Sequence, residues 1–288
     1  MDIRVAGWEN RENGDMPEMG EHHMKYAVNI EVIYRELPFA ERFAAAKRDG
    51  FDYVEIWDWE SKDLEELKDL CKRYGLEISC MGGDGPISLC DPAHGPEYLA
   101  YLRRSLKAAR EVGCKLLAVH SNELLPEPHP YAADLFPQYS AAEKTMAMYR
   151  SLAAIAPEAE QAGVTLCLEA LNVEKDHLGN FLQYTKDAAE IIRMVDSPNV
   201  RILYDAYHMY LNEGKIIETL RKYQDLIACI HIADAPGRGE PGTGCINYRA
   251  VLRDLYDRGY GGMIAFELFP QSSSDDAVWA INSVRTGL

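Results

Sequence analysis

From residue 26 onward the chain repeats one unit eight times: a short apolar run of β-type residues, then a longer run with a helical period. The β-type runs are 26–30, 53–57, 76–81, 115–120, 165–169, 200–205, 227–232 and 263–267. The helical runs are 39–48, 62–74, 96–112, 141–162, 185–195, 215–223, 248–258 and 275–284. Gly50, Gly75, Gly113, Gly163 and Gly262 fall between a helical run and the next strand, where helix ends favour glycine. Stretches such as LLAV and LCL are apolar throughout, so both faces need cover, which suits a parallel sheet under helices. Eight strand–helix units over roughly 250 residues is the scale of a closed (β/α)8 TIM barrel, the fold expected here. An open doubly wound sheet would carry G-x-G-x-x-G after its first strand, and none follows this one.

Residues 1–24 stand apart, acid-rich and without a sustained period. They are expected to form a mobile or edge-lying extension to a single barrel domain spanning 25–288. A short strand at Ile3–Ala6, tucked under the barrel, is the alternative. The 30 basic residues against 46 acidic ones give a net charge of −16. That disfavours a nucleic-acid partner, since phosphate binding draws on clustered Lys and Arg. No stretch approaches the ~20 uninterrupted apolar residues of a membrane span, so no membrane partner is expected. No basic segment followed by an apolar one opens the chain, which argues against export. Cysteines stand at 71, 80, 90, 114, 167, 229 and 245 without a CxxC pair, and three of them lie inside apolar runs. Free thiols in a reducing cytoplasm are expected.

Chemistry in such a barrel sits where strands end and the following loops begin. Strand four ends in His120, strand five in Glu169, strand six in Asp205, strand seven carries His231 and strand eight ends in Glu267. Carboxylates buried together repel one another, and a divalent cation removes that cost. Three carboxylates and one imidazole suit Mn²⁺, Mg²⁺ or Co²⁺. Glu169, Asp205, His231 and Glu267 are therefore the candidate ligands of one divalent ion. Any one of them alone would be an ordinary strand-end polar group; four in equivalent positions carry the reading.

His208 follows Asp205 by three residues, where the strand is read as turning into a loop, and is assigned to a substrate oxygen rather than to the metal. His120 is read as either structural or substrate-facing. His94, His129 and His177 fall in loops and are given no chemistry, with His177 the nearest to the mouth. The loop ADAPGRGEPGTGCINY is dense in Gly and Pro and holds one cation, Arg238, either a solvated side chain or a bidentate substrate anchor. Trp57 and Trp59 end strand two and are read as pocket wall, Trp57 facing substrate; Phe266 and Phe269 are core or wall.

The segments LPFAERFAAAKRDGFDYVEIW, LEALN, YDAYHMYLNEG, HIADAPGRGEPGTG, INY and GYGGMIAFELFP give the chain a further likeness. Over roughly residues 25–270 it resembles the xylose isomerase-like TIM-barrel superfamily and, within it, the hydroxypyruvate isomerase family. Ketose 3-epimerases and inosose-processing enzymes resemble it too. The resemblance implies that Glu169, Asp205, His231 and Glu267 hold one divalent metal, and that Glu169 and Glu267 double as acid and base. It also implies that His208 and Arg238 meet substrate. The implied reaction is isomerisation or epimerisation of a small sugar or hydroxy-keto acid through an enediolate, with hydroxypyruvate to tartronate semialdehyde leading. Association into a homo-oligomer is compatible with it.

Two features depart from the family. Many members carry Gly-Glu-Ile-Asn-Tyr where this chain has Gly244-Cys245-Ile246-Asn247-Tyr248, which reads as a carboxylate missing beside the active-site loop. The 24-residue extension is the other. Competing functions are a metal-dependent lyase on keto-sugars or C-glycosides, an endonuclease IV-like nuclease and an inactive barrel subunit. The nuclease needs further ligands, including an Asp-x-His after strand seven, which Gly244-Cys245-Ile246 does not supply.

Overall fold

The computed structural model describes residues 23–124 and 134–286. Residues 1–22 of the expected extension, with the Ile3–Ala6 alternative, lie outside the described residues, as does His129. Eight parallel strands follow one another around a closed barrel: β1 (Lys25–Asn29), β2 (Tyr53–Ile56), β3 (Glu77–Gly82), β4 (Leu116–His120), β5 (Thr165–Glu169), β6 (Val200–Asp205), β7 (Ile227–Ile232) and β8 (Met263–Phe266). β1 pairs with β8 and closes the ring. The crossovers are α1 (Phe39–Arg48), α2 (Leu64–Tyr74), α3 (Gly95–Val112), α4 (Ala141–Ala162), α5 (Thr185–Val195), α6 (Ala206–Asn212), α7 (Ile216–Tyr223), α8 (Tyr248–Asp257) and α9 (Ser274–Arg285). The expected (β/α)8 TIM barrel is the fold. No helix among the described residues is long and apolar enough to cross a membrane.

Local sequence sets the boundaries. Ser140 and Glu143 form a reciprocal capping box at the start of α4, and Asp63 and Ser273 cap α2 and α9. Gly75, Gly113 and Gly163 end α2, α3 and α4 with φ of 62°, 77° and 65°, a region that costs other residues strain. Gly262 differs from that expectation. Its backbone is not left-handed, and a Cβ there would strike the Tyr260 ring and the Ala228 carbonyl. All seven cysteines are free, and only Cys245 is exposed.

One core lies between the strands and the helices. A second fills the barrel with mostly small side chains, among them Ala27, Cys80, Ala118, Cys167, Cys229 and Ala265. Side chains alternate along a strand, so the residue two places on points inward one layer higher. The eight members of that upper layer are Asn29, Glu55, Gly82, His120, Glu169, Asp205, His231 and Glu267. Seven of them carry a polar side chain, and all seven are buried. The eighth, Gly82, has no side chain because a Cβ there would collide with the Trp57 carbonyl.

The structure corrects one local reading. His208 is not in a loop: α6 starts directly after β6, and Asp205 caps it by accepting from Tyr207 N at 2.7 Å and His208 N at 3.1 Å. The seven residues AYHMYLN span two turns and show no polar–apolar contrast, so the helical period could not register.

Candidate active site

Glu169, Asp205 and His231, from β5, β6 and β7, each bring one donor atom within 4.8 Å of the others. Asp205 uses Oδ1 to cap α6, which aims Oδ2 into the barrel mouth. Asp205 Oδ2 and His231 Nδ1 are buried with no hydrogen-bond partner among the described residues. Burial, partly offset by Arg238 and reinforced by Glu169, pushes the Asp205 carboxyl up to about 7. An oxygen-rich donor set with one imidazole, two orphaned donor atoms and an undercompensated carboxylate fits a hard divalent cation.

Glu267, the fourth expected ligand, stands beside this trio, with Oε2 3.4 Å from His231 Nδ1. Its oxygens are already engaged. Oε2 accepts from Arg238 Nη2 at 2.8 Å, and Oε1 accepts from Asn29 Nδ2 at 3.3 Å and from Trp57 Nε1. Burial opposes ionisation of Glu267, but His231, Arg238 and the Trp57 bond hold its carboxyl well below the usual range. A second donor group, Glu55, Cys229 and His231, also falls within 4.8 Å, but there His231 Nε2 and Glu55 already bond each other.

Of the remaining expected residues, His120, His208 and Arg238 lie beside the trio. His120 Nε2 lies 2.9 Å from Glu169 Oε2, and its Nδ1 lies 3.1 Å from Asp84 Oδ1. Burial lowers this imidazole, but Asp84 and Glu169 carry it up to about 10. His208 Nδ1 takes a bond from Asn172 Nδ2 at 2.6 Å. Nε2 is thereby left as the N–H, 3.5 Å from Asp205 Oδ2 and aimed at the mouth. Burial and the nearby Arg238 hold His208 well below the ordinary histidine value, so it is a neutral donor. Arg238 lies between the Tyr207 and Phe269 rings, 5.4 and 5.6 Å from their centroids, and its Nε is buried without a hydrogen-bond partner among the described residues. Trp57 and Phe269 are 43% and 38% exposed with centroids 6.5 Å apart, and so form a wall at the mouth. Trp59 turns away from it, onto Ser105 of α3 at 3.1 Å, and Phe266 is core.

The Gly-rich loop folds around Asp234. Its carboxylate accepts from Ala235, Ile246 and Gly242 N–H groups at 2.9, 3.0 and 2.8 Å. Gly244 packs on the Ala235 carbonyl so closely that a Cβ would collide. This path turns Cys245 outward, where its thiol meets the Tyr210 hydroxyl. Cys245 lines a surface cavity with Tyr210, Lys215 and Val251, which shares no residue with the strand-end layer. Position 245, expected beside the active-site loop, is part of the loop after β7, with its backbone N–H on the Ala235 carbonyl and its side chain turned outward.

With this geometry in place, comparison with known proteins is decisive for the family. The sequence profile described as xylose isomerase-like TIM barrel matches residues 43–285. The chain belongs to that family. Within it, the chain is 28% identical over 260 residues to hydroxypyruvate isomerase of Escherichia coli (strain K12), covering 88% of this chain and 96% of that protein. It is 30% identical over 256 residues to 3-dehydro-D-guloside 4-epimerase of the same organism, covering 85% and 92%. Among solved structures, AP endonuclease, family 2, from Brucella melitensis superimposes with a TM-score of 0.81 at 21% identity, covering 89% and 97%. That last likeness is one of fold. The chain is an enzyme of the isomerase class, and the hydroxypyruvate isomerase-like resemblance holds.

Sequence reasoning missed three residues at this end of the barrel. Glu55 and Asn29 complete the upper layer from β2 and β1, and Asp84 anchors His120 from the loop after β3. A signal for the first two was present: both stand two residues after an inward-facing Ala27 or Tyr53.

Proposed function

We propose that the protein is a divalent-cation-dependent isomerase of a small hydroxy-keto acid, interconverting hydroxypyruvate and tartronate semialdehyde. The observation that carries the reading is the orphaned pair Asp205 Oδ2 and His231 Nδ1, set beside two buried glutamates on strands three apart in the ring. Glu169, Asp205 and His231 would hold the cation, with Glu267 as the fourth donor. When bound, such an ion supplies positive charge against the anionic oxygens that develop as the carbon acid ionises.

The chain's own residues account for the rest. Arg238, pinned between two rings with Nε unpaired, suits the substrate carboxylate. His208 Nε2–H suits a substrate oxygen. One glutamate takes a proton from the hydroxymethyl carbon and the proton is delivered to the former carbonyl carbon, while the hydroxyl proton passes to the new hydroxyl oxygen. The free cysteines suit a reducing cytoplasm, and the domain is taken to span 25–288.

A second reading, epimerisation of a keto-glycoside, draws on the exposed Trp57–Phe269 wall, which matches the face of a sugar ring, and on the 30% identical relative. A nuclease is disfavoured, because both His120 nitrogens are already committed to Asp84 and Glu169. Incubation with Mn²⁺ in D₂O separates these. Hydroxypyruvate, simple ketoses and a keto-glycoside are supplied in turn, and deuterium next to the carbonyl is read by NMR. Label or product from hydroxypyruvate, abolished in Glu169→Gln and Glu267→Gln, is the expected result. Conversion of the keto-glycoside alone would favour the second reading, and neither product nor label from any substrate would sink both.

A further inference from the structure

Glu55 has no assigned role, yet it is buried in the barrel directly behind His231. Both of its carboxylate oxygens lie 3.1 Å from His231 Nε2. Glu55 is in turn held by Asn29, whose amide orientation is fixed from outside the site. Asn29 Oδ1 accepts from the Glu31 backbone N–H at 3.0 Å, so its NH₂ must face the carboxylates. There it donates to Glu55 Oε1 at 3.2 Å and to Glu267 Oε1 at 3.3 Å. An imidazole carries two nitrogens, and the one that donates to a carboxylate fixes the other as the lone-pair donor. With Nε2–H bound to Glu55, the lone pair falls on Nδ1, the atom without a partner beside Asp205 and Glu169.

We propose that Glu55, oriented by Asn29, is a positioning residue that holds His231 with Nε2 protonated and Nδ1 directed at the cation shared with Glu169 and Asp205. The proposal rests on the cation-dependent reading above. Because Asn29 also donates to Glu267, the same amide sets the spacing between the imidazole and the second catalytic glutamate. Position 55 tolerates only an acceptor. A glutamine there has one oxygen for two facing donors, and its own NH₂ would confront either His231 Nε2–H or the Asn29 amide.

The test compares wild type, Glu55→Gln and Asn29→Ala, each verified as folded by circular dichroism. Calorimetric titration with Mn²⁺ should show affinity falling about 10–100-fold in Glu55→Gln, the usual cost of losing such a partner. In the Mg²⁺-loaded protein, a low-field Nε2–H proton assigned with His231→Gln should be present in wild type and lost or shifted in Glu55→Gln. Should Glu55→Gln not fold, Asn29→Ala is read by the His231 Nε2–H signal, expected to shift, since its Mn²⁺ affinity also senses the bond to Glu267. Unchanged Mn²⁺ affinity and an unchanged Nε2–H signal in a folded variant would overturn the proposal while leaving the isomerase reading intact. Weakened Mn²⁺ binding in the variant, with a wild type that converts no substrate, would uphold the positioning role and sink the isomerase reading. A wild type that takes up no Mn²⁺ would overturn both.

Discussion

Asp205 and His231 stand directly opposite each other in the β6–β7 register, and each keeps one buried atom, Oδ2 and Nδ1, without a hydrogen-bond partner among the described residues. Two adjacent orphans are costly in a folded chain, and a shared cation satisfies both. Purified protein should therefore take up one Mn²⁺ per chain. At a free concentration of 100 times Kd the gain in stability should be about 2.7 kcal/mol, read as a rise in Tm. Asp205→Asn keeps an oxygen to cap α6, so its ion-free Tm should hold while the Mn²⁺ shift disappears. An unaltered Mn²⁺ shift in that variant would place the ion elsewhere.

Arg238→Lys tests the substrate anchor. Lysine retains the charge toward Glu267 but loses the planar fork and the fit between Tyr207 and Phe269. A charge-assisted hydrogen bond is worth about 1.5–3 kcal/mol, so KM for an acidic substrate should rise roughly 10–100-fold. Equal losses for neutral and acidic substrates would argue against a carboxylate partner.

His177 packs edge-on against His208, and burial together with Arg238 lowers its pKa to about 4. Its unfolded-state value is about 6.5, so the unfolded chain takes the proton first as pH falls. The stability this ring contributes is complete above pH 6.5 and is lost progressively down to about 4, by no more than about 3 kcal/mol and less where water reaches the ring. Urea midpoints across that window should slope more steeply for wild type than for His177→Gln. Parallel slopes would show that His177 titrates normally.

Cys245→Glu should leave kcat and KM within about twofold, because the side chain is exposed and lines a surface cavity apart from the strand-end layer, and such a surface substitution seldom costs more than about 0.5 kcal/mol. A gain in turnover on hydroxypyruvate would show that the loop bends back toward the mouth in the working enzyme.

The barrel and three of the candidate donors were legible because an apolar run that stops at Glu169, Asp205 or Glu267 marks a strand and its end, while His231, one place before Ile232, was picked out as the imidazole on strand seven. Glu55 escaped because it sits inside YVEIW, two places before the apolar run stops, and so looks like an interruption rather than an end. Asn29 lies one residue before Ile30 and was hidden the same way. Asp84 is reached through GGDG, where nothing local points to His120 on the next strand. The outward turn of Cys245 depends on the Asp234 carboxylate gathering amides up to twelve residues away, a long-range effect that adjacency in sequence misrepresents.

The hydrogen bond from Asn29 to Glu267 spans the seam between the first and last strands, 238 positions apart in the chain. It is at once a bond of the strand-end layer and a stitch across the closing edge of the barrel. A nascent chain that has not yet delivered β8 has an open edge, an Asn29 amide that lacks its Glu267 partner and an incomplete strand-end layer. Turnover in a growing, split or permuted chain would thus report whether the final strand has docked.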